Sequence, residues 1–95
     1  MQRYEAMYIL RPTLTEEELE AAVNLFEQTL RNQGVEELLV ERRGKRRLAY
    51  EIQKNKEGIY IQMNYQANGP INSELERAFR LNEQVLRHSI FREEP

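Results

Sequence analysis

Residues 35–67, VEELLVERRGKRRLAYEIQKNKEGIYIQMNYQA, decide the fold. Their second half alternates cleanly. Ile59, Ile61, Met63 and Tyr65 interleave with Tyr60, Gln62, Asn64 and Gln66, the period-two pattern of a strand with one buried face. The first half predicts one long, irregular strand over 35–53. Val35, Leu38 and Val40 begin it, and Leu48, Tyr50 and Ile52 continue it against Arg47, Ala49 and Glu51. Gly44 is expected to mark a bulge or kink. Asn55 to Gly58 has turn chemistry, so the two strands, 35–53 and 59–67, form a hairpin.

Working outward, each strand of the hairpin is flanked by a helix and then by another strand. Thr15 and Glu18 have capping-box spacing, and Glu16, Glu17 and Glu18 lie where the helix dipole favours negative charge. Leu19, Ala22, Val23, Phe26 and Leu30 make one apolar stripe, and Gly34 supplies a left-handed stop. Before this helix, residues 3–11 alternate as a strand: Tyr4, Ala6, Tyr8 and Leu10 on one face, Arg3, Glu5, Met7 and Ile9 on the other. After the hairpin, Asn68-Gly69-Pro70 opens a second helix whose buried side is Ile71, Leu75, Ala78 and Phe79, closed near Asn82. Residues 85–92 form the last strand, with Leu86, Ile90 and Phe91 as its apolar members.

The order β-α-β-β-α-β predicts an α+β, ferredoxin-like domain over 1–95: a four-stranded antiparallel sheet with two helices on one face. The other face is left open. It is expected to carry Arg3, Glu5, Met7, Ile9, Arg47, Glu51, Tyr60, Gln62 and Asn64, a polar, charged and aromatic surface suited to docking.

Ninety-five residues leave room for one core. The absence of cysteine excludes disulfides, thiolate metal sites and a cysteine nucleophile. The single histidine, His88, excludes a multi-histidine metal site, and Ser89 beside it would point to the opposite face of a strand. No Walker sequence and no dinucleotide glycine motif is present. No apolar run approaches the roughly 20 residues of a membrane span, and the opening lacks the apolar stretch of a secretory signal. No cofactor, metal, small-molecule substrate or membrane is therefore expected, and an intracellular, non-enzymatic protein is. The net charge is −2, yet seven of the fourteen basic residues fall between Arg42 and Lys56. Acidic residues gather at 16–20 and at Glu93-Glu94, so a polarised surface is expected, able to steer an anionic partner. Arginine outnumbers lysine between Glu41 and Tyr50, and arginine forks match phosphate oxygens and stack on bases.

The stretch Gly44-Lys45-Arg46-Arg47-Leu48-Ala49-Tyr50-Glu51-Ile52-Gln53-Lys54, followed by Gly58 and Tyr60, resembles the signature of the bacterial small-subunit ribosomal protein six family. Arg3-Tyr4-Glu5 and the stretch from Phe79 to Arg87 match it too, and the resemblance spans essentially the whole chain. It implies a ferredoxin-like fold and a place in the platform of the small ribosomal subunit. It also implies two partners, small-subunit protein eighteen and 16S ribosomal RNA. On that basis Arg46, Arg47, Tyr50 and Lys54 are candidates for partner and RNA contact, and Arg3, Arg80, Arg87 and Arg92 for phosphate contact. Tyr60 and Gln62 join them from the open face. For Tyr50 the competing reading is core packing, and for Arg80 an ion pair with Glu76 or Glu83. The resemblance implies a cytoplasmic ribosome, with an organellar one left open. A protein-only regulatory or ligand-sensing module, self-associating through its open face, is the alternative, because a fold hosts many functions.

Overall fold

A computed structural model describes residues 1–93. Glu94 and Pro95, the end of the expected acidic tail and of the expected domain, lie outside the described residues. The elements are β1 (Gln2–Leu10), α1 (Glu16–Asn32), β2 (Glu36–Ile52), β3 (Asn55–Ala67), α2 (Ile71–Leu81) and β4 (Val85–Arg92). The strands form one sheet in the order β2-β3-β1-β4, every neighbouring pair antiparallel.

The local signals act as expected. At the start of α1 the Glu18 amide donates to Thr15 Oγ1 at 3.1 Å, and the Thr15 amide donates to Glu18 Oε1 at 2.8 Å. Each side chain thus satisfies a backbone donor that the helix leaves open. At the other end Gly34 takes a φ of 82°. Its amide reaches the Arg31 carbonyl while the Val35 amide reaches that of Leu30, the paired bonds of a Schellman stop.

Both helices pack on one face. Tyr4, Ala6, Tyr8 and Leu10 of β1 and Ile59, Ile61, Met63 and Tyr65 of β3 meet Ala22, Val23, Phe26 and Leu30 of α1 and Ile71, Leu75 and Phe79 of α2. Tyr8, Phe26 and Phe79 form an aromatic centre, and His88 stacks on Phe79 with ring centroids 5.1 Å apart. His88 is thus a packing residue beneath the helices.

Three expectations need correction. The hairpin turn is not at Asn55–Gly58 but at Gln53 and Lys54, whose φ values are 47° and 66°. Two consecutive left-handed residues make the tight turn that follows strand twist, and Asn55 braces it by donating to the Ile52 and Gln53 carbonyls. Gly58 therefore lies inside β3. The second correction concerns the faces of β2. Arg42 pairs with Ile61 and Gly44 with Tyr60, so Arg43 is an inserted residue. One insertion reverses which parity faces the helices. Beyond Gly44, at a φ of 85°, Arg46 and Leu48 turn to the open face, and Tyr50 and Ile52 join them across a further register shift between Arg47 and Ile52. Arg47 and Glu51, expected there, alternate onto the reverse. The third concerns charge. The acidic start of α1 and the basic stretch are not kept apart, because Arg42 bridges Glu16 at 3.4 Å and Glu20 at 2.6 Å.

At the other end of β2 a bulge between Glu36 and Leu39 sets Glu37 at a φ of 51°. That conformation costs a residue with a Cβ on the order of 1–3 kcal/mol.

Candidate nucleic-acid and partner interface

The open face divides into two ends, and the reversal at Gly44 creates the division. At the hairpin end, Leu48 drops onto Ile9 of β1 and Leu86 of β4, with Ile52 and Tyr60 against them. Leu86 arrives there through a register shift: Ile9 pairs with Arg87, Leu10 with Val85, and Leu86 lies between. The small cluster is possible because β3 has a glycine at 58. A Cβ there would fall inside van der Waals contact of Ile9 Cγ2 and 3.5 Å from Leu48 Cδ2. A glycine inside a strand often marks such a close approach.

Two guanidinium groups crown this cluster. Arg46 lies 5.9 Å from the Tyr60 ring centroid and Arg87 lies 5.4 Å from that of Tyr50, within reach of cation–π attraction. Among the described residues neither arginine forms an ion pair. Tyr50 is 57% exposed whereas Leu48 is 8% exposed, so the core-packing alternative fails for Tyr50. The adjoining depression, lined by Met7, Ile9, Arg87, His88 and Ser89, holds about 90 Å³. Pockets for drug-sized ligands run from about 300 Å³. The geometry suits a broad docked partner: rigid aromatic rings, free guanidinium forks and an apolar centre.

The far end is polar and largely self-satisfied. Arg43 Nε and its terminal nitrogen donate to Gln62 Oε1, and Gln62 Nε2 donates to Glu5 and Asn64. Asn64 in turn donates to Glu93 at 3.0 Å, and Arg43 bridges Glu41 at 2.9 Å. Arg3 meets Glu37 at 3.0 Å.

The structure therefore sorts the candidate residues. Arg46, Tyr50, Tyr60 and Arg87 come together, and Gln62 borders them. Arg3 is on the same face but at the opposite end, in an ion pair. Arg47 points to the reverse of the hairpin, and Lys54 occupies its tip. Arg80 is on the helix layer, bridging Glu76 at 3.4 Å. Arg92 pairs with Tyr4 and so shares the parity of the helix-covered face. Sequence reasoning missed Leu48, Ile52 and Leu86 as members of the open face. Gly44, counted as a one-residue insertion, was the available signal for Leu48; Ile52 lies past a further register shift.

Comparison with known proteins adds a separate line. The sequence model of the family described as Ribosomal protein S6 matches residues 3–92. Small ribosomal subunit protein bS6 of Cyanothece sp. is 52% identical over 95 residues, covering 99% of this chain and 90% of that protein. Its counterpart in Desulforamulus reducens is 42% identical, covering 98% of each. The crystal structure of 30S ribosomal protein S6 from Thermotoga maritima superposes with a TM-score of 0.89 at 33% identity, covering 97% of this chain and 87% of that one.

Proposed function

The chain belongs to the ribosomal protein S6 family, structural and non-catalytic constituents of the small ribosomal subunit, and from that premise we propose that it binds 16S ribosomal RNA jointly with small-subunit protein eighteen during platform assembly in the cytoplasm. The observation that carries this reading is the grouping of Arg46, Tyr50, Tyr60 and Arg87 around the Ile9–Leu48–Leu86 cluster. Exposed Tyr50, half-buried Tyr60 and two arginines over an apolar centre are what a protein partner or a stacked base requires. The guanidinium forks fix register on RNA through phosphates. At a net charge of −2 the chain lacks the basic excess of a strong solitary RNA binder. Pairing with a second protein covers the apolar centre and pools positive charge. Arg47, Lys54, Arg80 and Arg92 are peripheral contacts at most, since they leave this surface.

The test is binding to a platform fragment of 16S RNA with and without protein eighteen. Weak binding alone and tight binding of the pair is expected; tight binding by the chain alone overturns the joint mechanism. In the complex, Arg87→Ala should reduce the steepness of log affinity against log salt by about 0.7–0.9, one phosphate contact. An unchanged slope removes Arg87 from the phosphate set. A stable homodimer with no RNA affinity would instead favour the protein-only module.

A further inference from the structure

Glu37 stands out on the open face for where its carboxylate goes. It belongs to edge strand β2, yet its Oε2 reaches across β3 to β1. Arg3 donates to that oxygen at 3.0 Å, and Gln66 donates to the same oxygen at 2.9 Å. Arg3 and Gln66 are directly paired across β1 and β3, so one carboxylate clasps a cross-strand pair. The backbone is shaped for this reach. A three-residue step on β2, from Glu36 to Leu39, spans the two-residue step from Gln66 to Asn64 on β3, and Glu37 at the insertion takes the left-handed conformation.

The surroundings have the same sign. Four carboxylates, those of Glu5, Glu37, Glu41 and Glu93, face two guanidinium groups, Arg3 and Arg43, at this end. A phosphate approaching Arg3 would sit beside a carboxylate held by two donors. Because Gln66 holds it independently, displacing Arg3 alone does not free the carboxylate to swing away. Like charges at such distances repel, and the repulsion is screened less as a partner excludes water. At the hairpin end, by contrast, Arg46 and Arg87 lie over tyrosine rings with no carboxylate paired to them among the described residues.

We propose that Glu37 withholds Arg3 from RNA phosphates and so confines the RNA to the Arg46–Arg87 end of the open face. This rests on the RNA-binding reading above. It makes Arg3, a natural phosphate candidate by sequence, a silent one in the native chain, and it makes Glu37 a residue that sets which end of the face the RNA uses.

The salt dependence of binding to the 16S platform fragment, measured in the complex with protein eighteen, tests it. Arg3→Ala should leave the slope of the native protein unchanged. Glu37→Gln keeps the side chain's shape and an acceptor for both donors while removing the charge. It should steepen the slope by about 0.7–0.9, the increment of one phosphate contact. The double variant Arg3→Ala/Glu37→Gln should return to the native slope. A shallower slope for Arg3→Ala alone overturns the proposal, as does an unchanged slope for Glu37→Gln. A gain that survives in the double variant does so too, since it would then be a general charge effect. Arg87→Ala, run alongside, separates the two levels. If its increment is also absent, the RNA-binding reading falls; if it is present and the Arg3 and Glu37 arms fail, only this proposal falls.

Discussion

On the helix-covered face of the sheet, Tyr8, Phe26 and Phe79 meet one another with ring centroids between 4.7 and 5.0 Å apart. On the reverse, Tyr50 and Tyr60 meet guanidinium groups at 5.4 and 5.9 Å. The same residue class serves two ends. Enclosed by two helices, aromatic rings contribute burial and edge-to-face packing to stability. Left under arginines at the surface, they keep that contact area available for a partner. The small Ile9–Leu48–Leu86 cluster stands between these cases: it packs the open face from within and leaves its outer surface unspent.

The largest test of this division is Phe26→Ala. Phe26 is fully buried and touches both other rings. Its loss should lower unfolding free energy by about 3–5 kcal/mol, read as the shift in a urea denaturation midpoint. A loss below about 1 kcal/mol would mean that the covered face is not where stability resides.

How much of this division was legible beforehand depends on whether a signal was local. The capping box at Thr15, the stop at Gly34 and the apolar stripes of both helices are patterns within a few residues, and each formed as written. The order of elements follows from them, and so does the sheet. Which side of β2 faces out is not local. It depends on whether Arg43 or its neighbour is inserted opposite Ile61, and that is settled by pairing with β3. The alternation of Leu48, Tyr50 and Ile52 was visible, but its sign was not. The turn misled for a related reason. Gln53 and Lys54 are residue types that seldom form a left-handed pair, while Asn55 and Gly58 carry turn chemistry that here serves bracing and close approach. The candidate site was legible as a set of residue types; its membership waited on three register shifts, at Gly44, between Arg47 and Ile52, and at Leu86.

A smaller effect probes the open face from within. Gly58→Ala places a methyl against Ile9 Cγ2, 3.4 Å from the Leu10 carbonyl oxygen. Ile9 is β-branched and stiff at χ1, so it cannot simply turn aside. Overpacking of this kind costs about 1–3 kcal/mol. The same displacement should disturb the surface under Arg46 and Tyr60, weakening joint binding beyond what the stability loss predicts. If Gly58→Ala is neutral in both denaturation and binding, the cluster is a loose contact and the open face has no inner order to protect.

The smallest expected effect comes from the exception on the covered face. Tyr8 is fully buried among the aromatic rings, and its hydroxyl has no hydrogen-bond partner among the described residues. Tyr65, by comparison, donates to Asn72 Oδ1 at 2.7 Å. An unpaired buried polar group is destabilising, so Tyr8→Phe should raise stability by about 0.5–1 kcal/mol, below the full desolvation penalty because the neighbouring packing is unchanged. Burial pushes the Tyr8 phenol well above its ordinary value of 10, with Arg42 opposing and Glu27 adding to the rise. The folded chain therefore holds this proton where the unfolded chain releases it. Stability is intact below pH 10 and falls as pH climbs past it. Tyr8→Phe should make that alkaline fall shallower, leaving the part due to Tyr65, whose phenol burial also raises. A variant that instead loses about 1 kcal/mol or more at neutral pH would reveal a partner for the hydroxyl, and the covered face would then hold a polar contact as specific as any on the open one.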